Sequence, residues 1–260
     1  MKLHTTQHWL WLTGLVAVLA GGTPSALAQT PVTNAVPEKK PRWQSFAEAG
    51  LTLAQGNSET LLATGRIGTG KKWDKNEMSL GAGAAYGETK DQATGKNTVN
   101  AETANAFAQY NRLFTERLYG YARVEGYHDG VADIDYRVTL SPGAGYYFIK
   151  TKATLLSAEV GPGYVFEKKG GQEDDYATVR FQEKFEHKFN DRVRIWEWVE
   201  YLPQVDDFSN YILNAEVGVE SALSKILNLR VYVVDTYNSV PAAGRKKNDV
   251  KLVAALAVKF

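Results

Sequence analysis

The chain has 260 residues, of which 30 are Lys or Arg and 29 are Asp or Glu, and its formal net charge is +1. The absence of Cys excludes disulfide scaffolds, thiol nucleophiles and metal sites that need thiolate ligands. The near-zero net charge excludes the basic surface of a nucleic-acid-binding protein, and an aromatic content of 12 % argues against a disordered chain.

The first 28 residues have the pattern of a secretory signal peptide. A basic start precedes an apolar run over 9–20, and the small residues at 26–28 are typical of a cleavage site. The run is too short for a spanning helix, which needs roughly 18 apolar residues. We therefore predict cleavage before Gln29, followed by an extended, proline-containing periplasmic linker over 29–42.

Beyond the linker, apolar residues recur at every second position, which is typical of β-strands. Twelve such segments are predicted: 46–55, 60–72, 77–87, 98–112, 118–128, 136–148, 153–166, 176–189, 193–203, 211–223, 228–237 and 249–260. Strands of soluble proteins usually have about 5 to 6 residues. These longer segments match the length that a tilted strand needs to cross a membrane.

The connections between the segments alternate in length. Short turns over 73–76, 114–117, 149–152 and 190–192 are separated by longer, charged stretches such as 88–97 and 167–175. An even strand number with such alternation is typical of outer-membrane barrels. We therefore predict an all-β, transmembrane, antiparallel up-and-down barrel of about 12 strands over 43–260, with a polar lumen and both termini in the periplasm.

The charged residues of the strands are predicted to face the lumen, since a basic side chain at mid-depth in lipid costs about 2–4 kcal/mol. This set comprises Arg66, Arg123, Glu125, Arg137, Glu159, Arg180, Glu216 and Glu220. The eighth and ninth segments do not fit, because Glu183 falls on the lipid face and either register exposes Glu197 or Glu200. A bulge or a register slip is expected there.

Aromatic and glycine residues bear on the width of the lumen. Rings near the predicted strand ends, including Tyr119 and Tyr147, are predicted to form girdles at the membrane interfaces. Glycines on the inner face, such as Gly68, Gly81 and Gly145, are expected to leave lumen volume unfilled. A barrel of 12 strands is intermediate between filled and open forms, so the sequence leaves both a pore and a plugged lumen open.

Five groups of short motifs stand out along the chain. They are GLT at 50–52 with GNSET at 56–60, DYR at 135–137 with GAGY at 143–146, GPGY at 161–164, FEHK at 185–188 and YLP at 201–203. Together they resemble the salt-induced outer membrane protein family, also known as domain of unknown function 481. The resemblance implies an outer-membrane barrel of Gram-negative bacteria, induced by salt in some members, and brings no catalytic residues. The terminal Phe260 also resembles the signal read by the barrel-assembly machinery.

Two prolines interrupt the sixth and seventh segments. Pro142 and Pro162 lie at nearly equal distances from the turn between these segments, and Gly143, Gly161 and Gly163 flank them. Proline donates no ladder hydrogen bond, so the pattern predicts a weak seam in the wall. Two interpretations stay open: a bulge that helps curvature, and a lateral opening for an apolar molecule.

Charged clusters in the predicted outer loops suggest contacts with ions or lipid. Carboxylates are the ligands that Ca²⁺ and Mg²⁺ prefer, and basic side chains pair with the phosphates of lipopolysaccharide. The acidic residues are Asp174, Asp175, Asp206 and Asp207, and the basic ones are Arg245, Lys246 and Lys247. A solvated loop face is the alternative interpretation.

Catalysis has little support in the sequence. His128 lies near several acids, but no nucleophile-elbow, zinc-protease or P-loop motif is present. We expect a monomeric, non-enzymatic barrel without a cofactor, surrounded by outer-membrane lipid and lipopolysaccharide. A narrow channel for small solutes or amphiphiles is the first hypothesis, and a non-conducting structural barrel under osmotic stress or a lipid hydrolase are the alternatives.

Overall fold

The computed structural model describes residues 42–54, 58–91 and 94–260. The predicted signal peptide over 1–28 and the predicted linker, apart from Arg42, lie outside the described residues, as does part of the GNSET motif. Within the described ranges, no helix is long and apolar enough to cross a membrane.

Twelve antiparallel strands form one closed barrel. Each strand pairs with its neighbours in sequence, and the first pairs with the last, so the sheet has no edge. The strands are β1 (Gln44–Ala54), β2 (Ser58–Trp73), β3 (Asn76–Asp91), β4 (Asn97–Leu113), β5 (Leu118–Asp129), β6 (Ile134–Lys150), β7 (Thr154–Lys169), β8 (Gln172–Lys188), β9 (Val193–Pro203), β10 (Tyr211–Ala222), β11 (Leu227–Asn238) and β12 (Asn248–Lys259). Every strand predicted from the alternation is present, which confirms the all-β up-and-down barrel.

The two faces of the wall differ in their chemistry. In β12, the small residues Ala255 and Ala257 are buried on the inner face, whereas Leu252 and Leu256 are 65 % and 50 % exposed on the outer face. A small soluble barrel would place its large apolar side chains in the interior. Here most of them cover the outside, and the interior consists mainly of polar, aromatic and small residues, with a few aliphatic ones such as Val165, Leu202 and Ile212.

At one end of the barrel, two connections are shorter than predicted. The stretch 167–175, predicted as a loop, consists of the end of β7 and the start of β8 around a tight turn at Gly170-Gly171. Both glycines have positive φ (58° and 73°), as a type I′ hairpin turn requires. Likewise, β3 continues to Asp91 through the predicted loop 88–97. The strict alternation of loop lengths was wrong, because the hydrogen-bond ladder continues where the alternation in hydropathy stops.

The ends of the chain's barrel domain meet at the opposite end. Ser45 and Phe260 exchange two backbone hydrogen bonds of 3.0 Å, beside the β1–β12 pairing. Short connections over 74–75, 114–117, 151–153, 189–192 and 223–226 lie at this end, which we call the turn end. The other end, which carries the connections 204–210 and 239–247, is the loop end.

Aromatic rings occupy the space beside the inward glycines, contrary to the expectation of unfilled volume. A Cβ at Gly68 would lie 2.5 Å from the ring of Phe46, and one at Gly81 would lie 2.5 Å from the ring of Phe107. Tyr119 covers Gly145 in the same way and is 1 % exposed, so it lies inside the barrel and not in an outer girdle. Tyr147 packs against it, with ring centroids 4.7 Å apart.

The pairing of glycine with a ring predicts a position-specific effect on stability. Gly145→Ala places a methyl group against the buried Tyr119 ring, and such overpacking lowers the free energy of unfolding by about 1–3 kcal/mol. Gly126→Ala is the control, since nothing lies within 4 Å of the added Cβ. Urea unfolding in detergent, followed by tryptophan fluorescence, measures both. Equal midpoints for the two variants would contradict the packing described.

Candidate functional site

The lumen is the candidate site, because the structure directs the charged residues of the strands into it. Five of the eight charges predicted for the lumen are buried there: Arg137, Glu159, Arg180, Glu216 and Glu220. The other three, Arg66, Arg123 and Glu125, line a central cavity of about 170 Å³. Thr139, Thr236 and Lys251 continue the lining of this cavity toward the loop end.

A first ion-pair network, here called the closure network, lies on the inner faces of the strands near the β1–β12 junction. It comprises Glu48, Arg66, Arg194, Glu216, Glu220, Arg230 and Lys259. Arg230 donates to Glu220 and to Glu48 at 2.7 Å each, and Arg194 donates to Glu220 at 3.1 Å. Arg66 pairs with Glu216. Each of these glutamates therefore accepts from at least one arginine, as buried charges require.

A second network is built around Arg180, whose side chain is 1 % exposed. Its guanidinium donates to Glu159 at 2.7 Å, to Glu200 at 2.6 Å and to Gln182 at 2.6 Å. Gln109 also donates to Glu159, at 2.8 Å. A guanidinium has donors in a fixed fork, so one arginine holds groups from β7, β8 and β9 in a single arrangement.

Several of these bonds cross the lumen. Arg66 on β2 and Glu216 on β10 belong to strands that are four positions apart around the barrel. Tyr147 on β6 donates to Glu77 on β3, and Gln109 on β4 donates to Glu159 on β7, each across three positions. The bonds span the interior and do not follow the wall. They narrow the lumen on the turn-end side of the central cavity.

A second restriction lies at the loop end. The β11–β12 connection over 239–247, here called the mouth loop, reaches the β7–β8 turn, although β7 and β11 are four positions apart. Lys169 Nζ donates to the carbonyl of Val240 at 2.9 Å. Ala242 is 7 % exposed and lies beside Gly170. The mouth loop thus extends across the opening, and the cavity lies between two restrictions.

Strands β8 and β9 have a regular register, so the expected bulge or slip is wrong. Their pairing is continuous from Phe181–Tyr201 to Lys188–Arg194. Glu200 is buried in the lumen, where Arg180 binds it. Glu197 is exposed on the outer face, and Glu183 lies on the same face of β8. The alternation in hydropathy could not distinguish the two possible registers of β9, because Trp196 and Trp198 place large rings on the inner face.

Sequence reasoning missed five charged members of the two networks: Glu48, Arg194, Glu200, Arg230 and Lys259. Arg194 and Glu200 lie in the ninth segment, whose register the sequence left open, whereas the other three lie in segments with a clear alternation. The signal was therefore present for Glu48, Arg230 and Lys259. What the sequence lacks is the partner, because Arg230 and Glu48 are 182 residues apart.

The residues predicted to contact ions or lipopolysaccharide lie at the loop end. Asp174 and Asp175 are part of β8, and Tyr164 donates to Asp175. Asp206 accepts from Gln204 at 2.8 Å. Ser209 donates to Asp207 at 2.6 Å, and its hydroxyl and amide lower the pKa of the Asp207 carboxyl.

The basic cluster of the mouth loop is solvent-facing. Arg245, Lys246 and Lys247 are exposed, and the backbone amide of Arg245 donates to Ala242 at 3.0 Å. In the part of the chain that the structure describes, no group of three or more acidic or histidine side chains could hold a metal ion. Binding of divalent cations or lipopolysaccharide at this end stays a prediction.

The remaining predicted residues lie in the wall. Pro142 and Pro162 are exposed on the outer face of β6 and β7, while Gly161 and Gly163 are buried on the inner face with Gly143 half-buried beside them. Phe260 follows β12 and is 76 % exposed. The ring of His128 lies 2.9 Å from the carbonyl oxygen of Asp135, so a backbone group, and not a carboxylate, is its partner.

Comparisons with known proteins found one family model and a set of distantly similar solved structures. The family model described as "Protein of unknown function, DUF481" matches residues 47–260, and no curated protein matches the chain. Among solved structures, the NanC porin has a TM-score of 0.49 and 8 % identity, over 83 % of this chain and 98 % of that one.

Two further structures have similar scores. An outer membrane channel from Pseudomonas putida F1 has a TM-score of 0.49 and 10 % identity, covering 90 % of this chain and 100 % of that chain. The translocator domain of the autotransporter NalP from Neisseria meningitidis has a TM-score of 0.45 and 12 % identity, covering 88 % and 91 %. None of these similarities is close enough to carry over a ligand or an activity.

The geometry around Arg180 predicts a large effect of its removal. Arg180→Met leaves Glu159 and Glu200 buried without their shared cation, and loss of one partner of a buried pair costs about 3–5 kcal/mol. Lys188→Met is the control on the same strand, because Lys188 is 53 % exposed and lies 3.8 Å from Glu186. Exposed pairs contribute about 0–1 kcal/mol. Urea unfolding at neutral pH measures the difference, and similar midpoints would contradict a buried pair.

Proposed function

The chain belongs to the family of proteins of unknown function DUF481, and we propose that it is a narrow outer-membrane channel for small polar solutes. The observation that carries this proposal is the central cavity, which charged side chains line between two polar restrictions. A family without an assigned activity supplies no substrate, so the chemistry of the lumen defines the solute class.

The outer face supports a position in a membrane. Ile67, Val217 and Leu252 are 61 %, 53 % and 65 % exposed and belong to a belt of apolar residues around the barrel. Soluble monomers rarely expose a large contiguous apolar surface. A closed barrel has no edge strand, so its backbone groups pair with neighbouring strands over nearly the whole wall, as lipid demands. The even number of antiparallel strands is that of bacterial outer-membrane barrels.

The inner face supports axial passage of small polar solutes from one barrel end to the other. Arginine and glutamate side chains both line the cavity, so a solute there meets fixed charges of both signs. The turn-end restriction consists of side chains and the loop-end restriction of one loop, and both are made of polar contacts. Water and small hydrophilic molecules can replace such contacts, whereas a hydrocarbon cannot.

A structural barrel without conductance is the second candidate. The bonds that cross the lumen favour it, because they tie distant strands together and leave little free cross-section. In this case the same contacts stabilise the wall and carry no solute. Measurement of conductance separates the two functions.

The channel proposal predicts that the closure network limits conductance. The double variant Arg66→Ala/Glu216→Ala removes one ion pair across the lumen without leaving an unpaired charge, so the single-channel conductance in a planar bilayer should rise. Lys168→Ala/Asp135→Ala is the matched control, since that pair is exposed at 3.2 Å, and it should leave conductance unchanged. Absence of discrete current steps in the wild type and in both variants would favour the structural barrel.

A further inference from the structure

We propose that the junction between β6 and β7 is a lateral port through which a single-chain amphiphile, such as a fatty acid, moves between the lumen and the surrounding lipid. This inference rests on the membrane position proposed above, but not on axial conductance. The junction combines an interrupted ladder, small residues on the inner face of both strands, an apolar outer side and unpartnered hydroxyl groups on the inner side.

The ladder is interrupted where two prolines lie directly opposite each other. Leu140 pairs with Tyr164, and Ala144 pairs with Val160, so the register places Pro142 opposite Pro162. In the described residues between these two pairs, 141–143 and 161–163, no position is paired across the junction. Neither proline has an N–H group, and the bonds between them cannot form in any arrangement of the backbone.

The other side of β7 shows that the interruption belongs to this junction. Residues 161–163 pair without a break with 178–180 of β8, as part of a ladder from Thr154 to Lys169. A strand residue directs its N–H and C=O to one neighbour only. Pro162 therefore keeps the β8 side intact and weakens the β6 side alone.

The two strands contribute only Ser141 and three glycines to the inner face of the interruption, and the ring of Tyr121 on β5 covers Gly143 there. A Cβ at Gly161 would overlap with the carbonyl of Pro142, and one at Gly143 would overlap with the carbonyl of Val160. The strands are held here by close backbone contacts, which are weaker than ladder hydrogen bonds. Parting them over this stretch breaks fewer bonds than an equal opening between β7 and β8.

The two sides of the junction have different polarity. Leu140, Pro142, Val160 and Pro162 are exposed on the outer side and present only hydrocarbon to the surroundings. On the inner side, the hydroxyls of Ser141 and Thr178 are buried at 1 % exposure each and have no hydrogen-bond partner among the described residues.

The two hydroxyls lie close to the interruption. A Cβ at Gly163 would be 2.6 Å from Thr178 Oγ1 and 3.2 Å from Ser141 Oγ, and Ser141 also lines the central cavity. A buried hydroxyl without a partner is costly, and each can both donate and accept. They fit the polar headgroup of an amphiphile whose chain extends outward between the prolines.

A disulfide across the β6–β7 junction tests the port, because the oxidised and reduced forms of the same variant can be compared. The chain has no Cys, so Ala144→Cys/Val160→Cys introduces a single pair at directly paired, exposed positions next to the interruption. Paired positions of antiparallel strands have Cα atoms roughly 4.5–5.5 Å apart, within the range of a disulfide. Ile67→Cys/Ala82→Cys, across the continuous β2–β3 ladder, is the matched control.

Each purified variant is reconstituted into phospholipid vesicles with a photoactivatable fatty acid, and mass spectrometry locates the labelled residues. We expect label on the inner-face residues Ser141 and Thr178 in the wild type and in the reduced variant. Oxidation of the β6–β7 variant should abolish this inner label and leave the outer label in place, whereas oxidation of the control should change neither. The variant Pro142→Val/Pro162→Val, which restores two N–H donors, should also lose the inner label.

Two outcomes would overturn the port. Inner label that persists after oxidation of the β6–β7 pair shows entry through the barrel mouth, and inner label that is absent from every variant shows that the two hydroxyls hold water only. Conductance of the same preparations separates this result from the channel proposal. Current steps with no oxidation-sensitive label refute the port alone, and oxidation-sensitive label without current steps refutes the axial channel alone.

Discussion

Closure of the backbone ladder is the constraint from which the rest of the molecule follows. A strand with free N–H and C=O groups at its edge would need water or a partner, and the β1–β12 pairing removes that need. Once the wall is closed, each strand has only an inner and an outer face, and its residues alternate between them. The outer face accepts apolar side chains, so most charged residues in the middle of the strands face inward and pair there, with Glu183 and Glu197 as exceptions.

Inside the barrel, the charged side chains share hydrogen-bond partners. Arg180 and Arg230 each bind two glutamates. Two of these glutamates also accept from tyrosines on other strands, Glu159 from Tyr119 and Glu48 from Tyr232. Burial of a charge is tolerated only when it is paired and hydrogen-bonded. The rings of Phe46, Phe107 and Tyr119 fill the space beside small residues. The lumen is thus neither an empty pore nor an apolar core, which fits a restricted polar path.

The strands could be predicted from the sequence because their alternation is a local property. The loop lengths could not be predicted, since the β7–β8 ladder over 167–175 continues beyond the apolar belt and its side chains there are charged. Tyr119 and Tyr147 were assigned to an outer girdle because their position near strand ends is visible in the sequence, whereas their fit against inward glycines depends on register between strands. The register likewise decides that Glu200 meets Arg180 while Glu183 remains outside, and that the two prolines lie opposite each other.

Among the described residues, the β1–β12 junction has the shortest ladder in the wall, with pairing from Phe46–Lys259 to Gly50–Ala255. The closure network lies across it, since Arg230–Glu48 and Arg66–Glu216 connect strands on its two sides. In an open twelve-stranded sheet, β2 and β10 would be separated by eight strand spacings, or about 38 Å. These ion pairs can therefore form only in the last step of assembly. These ion pairs must break before β1 and β12 can separate. They therefore slow the thermal opening of the wall at the junction whose ladder is shortest.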